Sequence, residues 1–151
     1  MRRFNAAGVC VPDKHYMADI SDKLEKIIAM VEDDEYFTIN RARQYGKTTT
    51  LSRLDNELKG KYIVLRLSFE GVGDGAFAND NAFVNFFIKK VAEELEYNHV
   101  DIAVIEKWTE TDSLSDGDAF DNLSDKITLL CKSCGQDIIL MVDEVDKSSD
   151  N

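Results

Sequence analysis

The feature that most constrains the fold of this 151-residue chain is a strand-like stretch joined by a short loop to a helix-like stretch. The apolar and β-branched side chains at residues 36–40 predict a buried strand, and leucine spacing predicts a helix over residues 47–59. The loop between them ends in Gly46, Lys47 and Thr48. Such a loop binds phosphate, because backbone N–H groups at the helix start close on the phosphate oxygens.

Lys47 and Thr48, at the end of this loop, are each predicted to make a particular contact. The Lys47 ammonium would lie against the β and γ phosphates of a nucleotide, and the Thr48 hydroxyl would ligate Mg²⁺. The loop departs from G-x-x-x-x-G-K-[ST] at one position, where Arg41 replaces the first glycine. Arg41 and Arg43 either contact phosphate oxygens or a neighbouring subunit, or are ordinary surface charge.

A second motif lies about a hundred residues further along, where an apolar run at residues 138–142 is closed by Asp143 and Glu144. So short an apolar run predicts a strand buried on both faces of a parallel sheet. Ligands bind at the carboxyl ends of the strands in such sheets. Asp143 is therefore predicted to hold the Mg²⁺ shell, and Glu144 to orient and deprotonate an attacking water.

Strand and helix patterns alternate along the chain, which predicts an α/β fold with a parallel sheet. The phenylalanines at positions 83, 86 and 87 form a stripe that indicates packed core. Asp80 or Asn81 is expected to cap the helix that carries them. The predicted strands are residues 36–40, 62–69 and 137–142, and the predicted helices begin near Ser21 and cover residues 47–59, about 80–95, 101–109 and 119–132.

The charge balance excludes some partners. The chain has 29 acidic and 18 basic residues, for a net charge of −11, which argues against broad contact with nucleic acid or an anionic membrane. A nucleotide is not excluded, because phosphate-binding loops use local backbone dipoles. No apolar run has the length of a membrane span. The absence of a secretory signal and the three cysteines predict a cytoplasmic protein.

Cys131 and Cys134 form a C-x-x-C pair near the end of a predicted helix. A zinc site would need two further ligands at suitable spacing, and a thioredoxin-like pair would lie at a helix start. A structural role is favoured, with a redox or metal role as the alternative.

Residues 40–50, together with Phe4-Asn5 and residues 12–17, resemble the AAA-ATPase-like domain of a bacterial family of ATP-binding proteins. The form R-x-R-Q-Y-G-K-T-T recurs in that family, so Arg41 is expected there. The resemblance extends over residues 4–146. It implies a P-loop ATPase with an extra strand between the Walker A and Walker B strands. Family members often carry a PD-(D/E)XK nuclease-like domain further along, and this sequence contains nothing of that domain.

The resemblance also implies roles for individual residues in binding ATP and Mg²⁺. Lys47 and Glu144 would be catalytic, Thr48 and Asp143 would hold the metal, and Thr49 would contact the α phosphate. The residues implied to line the nucleotide site are Arg43, Gln44, Tyr45, Gly46, Lys47, Thr48 and Thr49.

The fold expected from both lines of reasoning is a three-layer P-loop NTPase-type parallel sheet flanked by helices. It would be a single domain over residues 1–151 with an irregular lead at residues 1–18. The sheet is expected to be incomplete, because only seven residues follow Glu144. They cannot supply the sensor strand and the last strand, so a fragment of a longer protein is expected.

The leading functional hypothesis is Mg²⁺-dependent ATP hydrolysis that powers or gates an attached effector domain absent from this sequence. The alternative is a nucleotide-dependent regulatory switch with little turnover. A small-molecule kinase ranks lower, because no arginine-rich lid segment follows the acidic strand. Expected partners are the nucleotide and other copies in a homo-oligomer, with no membrane and no direct nucleic-acid contact.

Overall fold

A computed structural model describes residues 20–39, 47–110 and 119–144 of the chain. The chain divides into two compact units, residues 1–59 and residues 60–151. A short 3₁₀ helix covers Asp74–Phe77. The main helices of the described residues are α1 Ser21–Glu32, α2 Lys47–Leu58, α3 Asp80–Tyr97, α4 Ile102–Thr109 and α5 Ala119–Cys134, and the strands are β1 Ile63–Ser68 and β2 Ile138–Asp143.

In the first unit, α1 and α2 pack against each other. Helix α2 buries a continuous stripe at helical spacing, formed by Thr50, Leu51, Leu54, Asp55 and Leu58. The Asp55 carboxylate lies 3.0 Å from the Lys59 ammonium one turn later, so the acidic member of the stripe is paired. The stripe fixes the rotation of α2 and therefore the direction in which its first turn points.

In the second unit, β1 and β2 form a parallel pair whose register runs from Ile63 opposite Ile138 to Ser68 opposite Asp143. The N–H of Ile63 donates to the carbonyl of Asp137 at 2.9 Å, and the N–H of Phe69 donates to the carbonyl of Asp143 at 3.1 Å. The odd-numbered residues of β1 therefore bond to β2, and the even-numbered residues face the opposite edge. Both strands end at the same side of the sheet.

The core of this unit lies between one face of β1 and helices α3, α4 and α5. Ile63, Leu65, Leu67 and Phe69 point into it, each 9% exposed or less. The phenylalanine stripe packs there as predicted, since Phe69 lies 5.7 Å from Phe86 between ring centroids. Trp108 of α4 is buried, and its indole N–H donates to the carbonyl of Ile88 at 2.9 Å.

Side chains of α3 cover the outer edge of β1. The N–H of Arg66 donates to the Glu94 carboxylate at 2.9 Å. The Asn98 amide donates to the carbonyls of Val64 at 3.0 Å and Glu94 at 2.8 Å. Asn98 thus bonds to both the outer edge of β1 and the last turn of α3.

Several predicted boundaries are confirmed within one or two residues. The helix near Ser21, the helix at the phosphate loop and the helices near 102 and 119 all form. The cap of α3 is a correction: the Asn79 side chain, rather than Asp80 or Asn81, accepts the N–H of Ala82 at 2.8 Å. The extended backbone of Asn79 lets its short side chain reach back to the first turn.

The predicted fold class is wrong. The described residues are mostly helical, with one two-stranded parallel sheet, rather than a three-layer P-loop NTPase-type sheet flanked by helices. Residues 36–39 form no strand, and Tyr36 is fully exposed. Strand propensity reflects packing against neighbouring strands, and no described strand pairs with this stretch. The prediction that β2 is buried on both faces also fails, because Leu140 and Val142 are exposed.

Replacing Asn98 with alanine is expected to lower the free energy of unfolding by about 1–3 kcal/mol, because the carbonyl of Val64 loses its donor. Urea unfolding followed by circular dichroism measures this change. Asn56→Ala, at an exposed position of α2, serves as the control and should be neutral or slightly stabilising. Equal stability of the two variants would contradict the role given to Asn98.

Candidate functional site

The phosphate-loop residues are described only from the start of α2. Arg43, Gln44, Tyr45 and Gly46 lie outside the described residues. Lys47 and Thr49 are half-buried in the first turn, and Thr48 is exposed.

The structure therefore brings three predicted site residues together on one helical turn. Lys47 gives this turn a cationic side chain, and Thr48 gives it an exposed hydroxyl. An ammonium group suits a phosphate oxygen, and a hydroxyl is a hard oxygen ligand for a cation.

The two predicted acids lie at the carboxyl end of β2. Asp143 is the last residue of the strand and Glu144 follows it, both half-buried. One Asp143 carboxylate oxygen accepts the N–H of Glu144 at 2.9 Å, which holds the Asp143 side chain against the following peptide. The backbone of Glu144 is left-handed, with φ of 59°. A residue with a Cβ is strained in that region, and such strain is common at functional sites.

The carboxyl end of β1 adds one residue, Ser68, that sequence patterns did not point to. Ser68 is the register partner of Asp143, and its hydroxyl accepts the N–H of Glu70 at 3.2 Å. Parallel pairing could have pointed to Ser68, since adjacent parallel strands have their carboxyl ends on the same side of the sheet. The carboxyl ends of β1 and β2 together carry hydroxyl and carboxylate oxygens, which are ligands suited to a hard cation.

The predicted residues thus fall into two groups. Lys47, Thr48 and Thr49 belong to the first compact unit, whereas Asp143 and Glu144 belong to the second.

The described residues offer few ligands for a metal ion. Residues 20–39, 47–110 and 119–144 contain no group of three or more histidine, cysteine, aspartate or glutamate side chains placed to hold a metal ion. Mg²⁺ at nucleotide sites needs no such cage, because phosphate oxygens and waters complete its shell around one or two protein oxygens. Asp143 and Thr48 each carry an oxygen of the kind that Mg²⁺ binds, and they belong to different compact units.

The C-x-x-C pair lies in the last turn of α5, as predicted. Cys131 is exposed and Cys134 is half-buried against the core, and both thiols are free. Burial raises the pKa of the Cys134 thiol above its usual value, and the neighbouring Cys131 adds to the rise. A raised pKa disfavours the thiolate that metal binding and thiol exchange require, so the structural role is favoured.

A small groove lies between α4 and α5. Its enclosed space is about 10 Å³, which is near the lower limit for holding one water molecule. The Lys126 ammonium lies beside it and donates to the carbonyl of Glu110 at the end of α4. This lysine therefore caps a helix.

Comparisons with known proteins add no relative. No family model matches the chain, and neither a curated protein nor a solved structure does. Among the described helices, none is both long enough and apolar enough to cross a membrane.

The left-handed backbone at Glu144 leads to a prediction about the stability of two variants at this position. Glu144→Gly is expected to be more stable than Glu144→Ala by about 1 kcal/mol, because both variants remove the side chain but only glycine relieves the strain. Chemical unfolding of the two variants measures the difference. The same pair at Asp137, whose backbone is not left-handed, should reverse the order, since glycine there only adds entropy to the unfolded chain.

Proposed function

We propose that this protein binds ATP through the first turn of α2 and hydrolyses it with Mg²⁺ and the acids that follow β2. The observation that carries the proposal is the helical conformation of residues 47–58, which open with Lys47, Thr48 and Thr49 directly after Gly46 in the sequence. In a phosphate-binding loop, the backbone donors at the start of such a helix and the lysine charge act on the same anion. The acid pair at the carboxyl end of a parallel strand supports it independently.

Anion binding by this chain must be local, because the net charge of −11 repels a triphosphate at long range. The α2 backbone N–H groups would bind phosphate oxygens, and Lys47 would neutralise charge on the β and γ phosphates. Thr49 would contact the α phosphate.

Hydrolysis of the β–γ bond would depend on positioning and on neutralising charge that develops in the transition state. Mg²⁺, when bound with the nucleotide, would supply part of that charge, with Thr48 and Asp143 as its protein ligands. Glu144 would orient the attacking water and accept its proton. The hydrogen bond from the Glu144 backbone N–H holds the Asp143 carboxylate against the residue that would be the base. The energy released would power or gate an attached effector.

Lys47→Ala is expected to weaken ATP binding at least tenfold, about 1.4 kcal/mol, because the β and γ phosphates lose their ammonium partner. Isothermal titration of the full chain with ATP and MgCl₂ measures the affinity. Lys26→Ala, an exposed lysine on α1, is the matched control and should bind like wild type. Unchanged affinity in Lys47→Ala, with an unchanged circular dichroism spectrum, would refute the assignment of the phosphate loop.

Glu144→Gln separates hydrolysis from switching. If Glu144 is the base, this near-isosteric change should leave ATP affinity intact and lower the single-turnover rate by about 10²–10⁴-fold. Quenched-flow measurement of phosphate release gives that rate. A wild-type protein that retains ADP tightly, with the same slow rate in Glu144→Gln, would instead favour the regulatory switch.

A further inference from the structure

Two side chains from the end of α3 bond to the outer edge of β1 at neighbouring positions. The Asn98 amide donates to the carbonyl of Val64 at 3.0 Å, and the Glu94 carboxylate accepts the N–H of Arg66 at 2.9 Å. Because the odd-numbered residues of β1 bond to β2, this carbonyl and this N–H both point away from β2. The two contacts therefore lie on the side of β1 where a further strand would pair.

The donor and the acceptor are the groups that one residue of a parallel strand would offer. In a parallel ladder, a residue donates its N–H to the carbonyl before its partner residue and accepts the N–H after that partner. In a strand beyond β1, the residue opposite Leu65 would therefore bond to the carbonyl of Val64 and the N–H of Arg66. The Asn98 amide supplies that donor, and the Glu94 carboxylate supplies that acceptor.

The spacing of the two side chains along α3 makes this arrangement possible. Asn98 directly follows the last residue of α3 and lies four residues after Glu94, so both side chains leave the same face of the helix one turn apart. The Asn98 amide also donates to the carbonyl of Glu94 at 2.8 Å, which holds the amide in place. That bond alone would cap the helix, so the contacts with β1 serve the strand.

We propose that Glu94 and Asn98 form an edge clasp that makes β1 the terminal strand of its sheet. The clasp occupies the outward groups on either side of Leu65, so neither another segment of this chain nor a second copy pairs with β1 there. Uncovered edge strands tend to associate with one another. The clasp therefore keeps copies of this protein from joining through β1, and a further strand of the sheet would lie beyond β2.

The proposal is independent of nucleotide binding and is tested by removing both side chains from the full chain. Glu94→Ala/Asn98→Ala should form larger species than the wild type in analytical ultracentrifugation, because the outward groups of β1 become available to a second copy. The measurement uses about 1 M NaCl, in which the Debye length is about 3 Å. At that salt concentration the net charge of −11 no longer keeps the copies apart.

A matched double variant controls for the loss of one glutamate and one asparagine from α3. Asn85→Ala/Glu96→Ala makes the same two changes at exposed positions of the helix. Its size distribution should equal that of the wild type. Lys47→Ala should also behave like the wild type, so failure of the nucleotide proposal would leave this result readable.

Amide hydrogen exchange measured by NMR locates the association. At low protein concentration, the Arg66 amide of Glu94→Ala/Asn98→Ala should exchange at least about tenfold faster than in the wild type, because its acceptor is gone. At high concentration the exchange should slow again, since a strand of the second copy supplies a new acceptor. The amide of Leu65 faces β2 and should change little at either concentration.

Two single variants separate hydrogen bonding from charge and from folding. Glu94→Gln keeps an oxygen that accepts the N–H of Arg66, so its size and its exchange at Arg66 should match those of the wild type. Glu94→Ala removes the acceptor but keeps the bond from Asn98, and its Arg66 amide should exchange at least about tenfold faster. This variant decides the matter if the double variant does not fold.

Three outcomes would overturn the proposal. The first is a folded Glu94→Ala/Asn98→Ala variant whose size matches the wild type at high concentration, which would leave the two contacts as ordinary stabilising bonds. The second is unchanged exchange at Arg66 in Glu94→Ala. The third is equal association of Asn85→Ala/Glu96→Ala, which would assign the effect to the surface of α3 rather than to the edge of β1.

Discussion

The parallel pairing of β1 with β2 is the constraint on which the second compact unit depends. Parallel strands cannot be joined by a tight turn, so the chain must return across the sheet before β2 begins. Helices α3, α4 and α5 form that return, and they bury the face of β1 that carries Leu65 and Leu67. The same pairing brings the carboxyl ends of both strands together, so that Ser68 lies beside Asp143.

The two paired strands differ in how far they are covered. Helix α3 lies close enough to β1 for Asn98 and Glu94 to bond to its outer edge. In β2, Leu140 and Val142 are exposed, and in the ranges that the structure describes no strand besides β1 pairs with β2. The polar side chains of Ser68 and Asp143 lie at the ends of the two strands, whereas the residues of β2 before Asp143 are all apolar.

Sequence patterns predicted the local elements better than the architecture. Helix starts near Ser21, Lys47 and Ala119 follow from apolar spacing, because one helical face must be buried whatever lies opposite it. The strand predicted at residues 36–40 failed, since a β-branched stretch becomes a strand only if another strand pairs with it. The three-layer sheet inferred from that strand failed with it. The sequence does not specify the backbone angles of Asn79. Those angles decided which short side chain caps α3.

For the candidate site, the sequence alone determined the residue types and their order: a lysine and threonines at a helix start, and two carboxylates after an apolar run. These follow from local chemistry, because a helix N-terminus and a strand end are properties of neighbouring residues. Only the tertiary structure decided that Glu144 adopts a left-handed backbone, that Ser68 lies beside Asp143, and that side chains of α3 bond to the outer edge of β1. Those outcomes depend on contacts between residues distant in the chain, and periodicity within a segment carries no information about them.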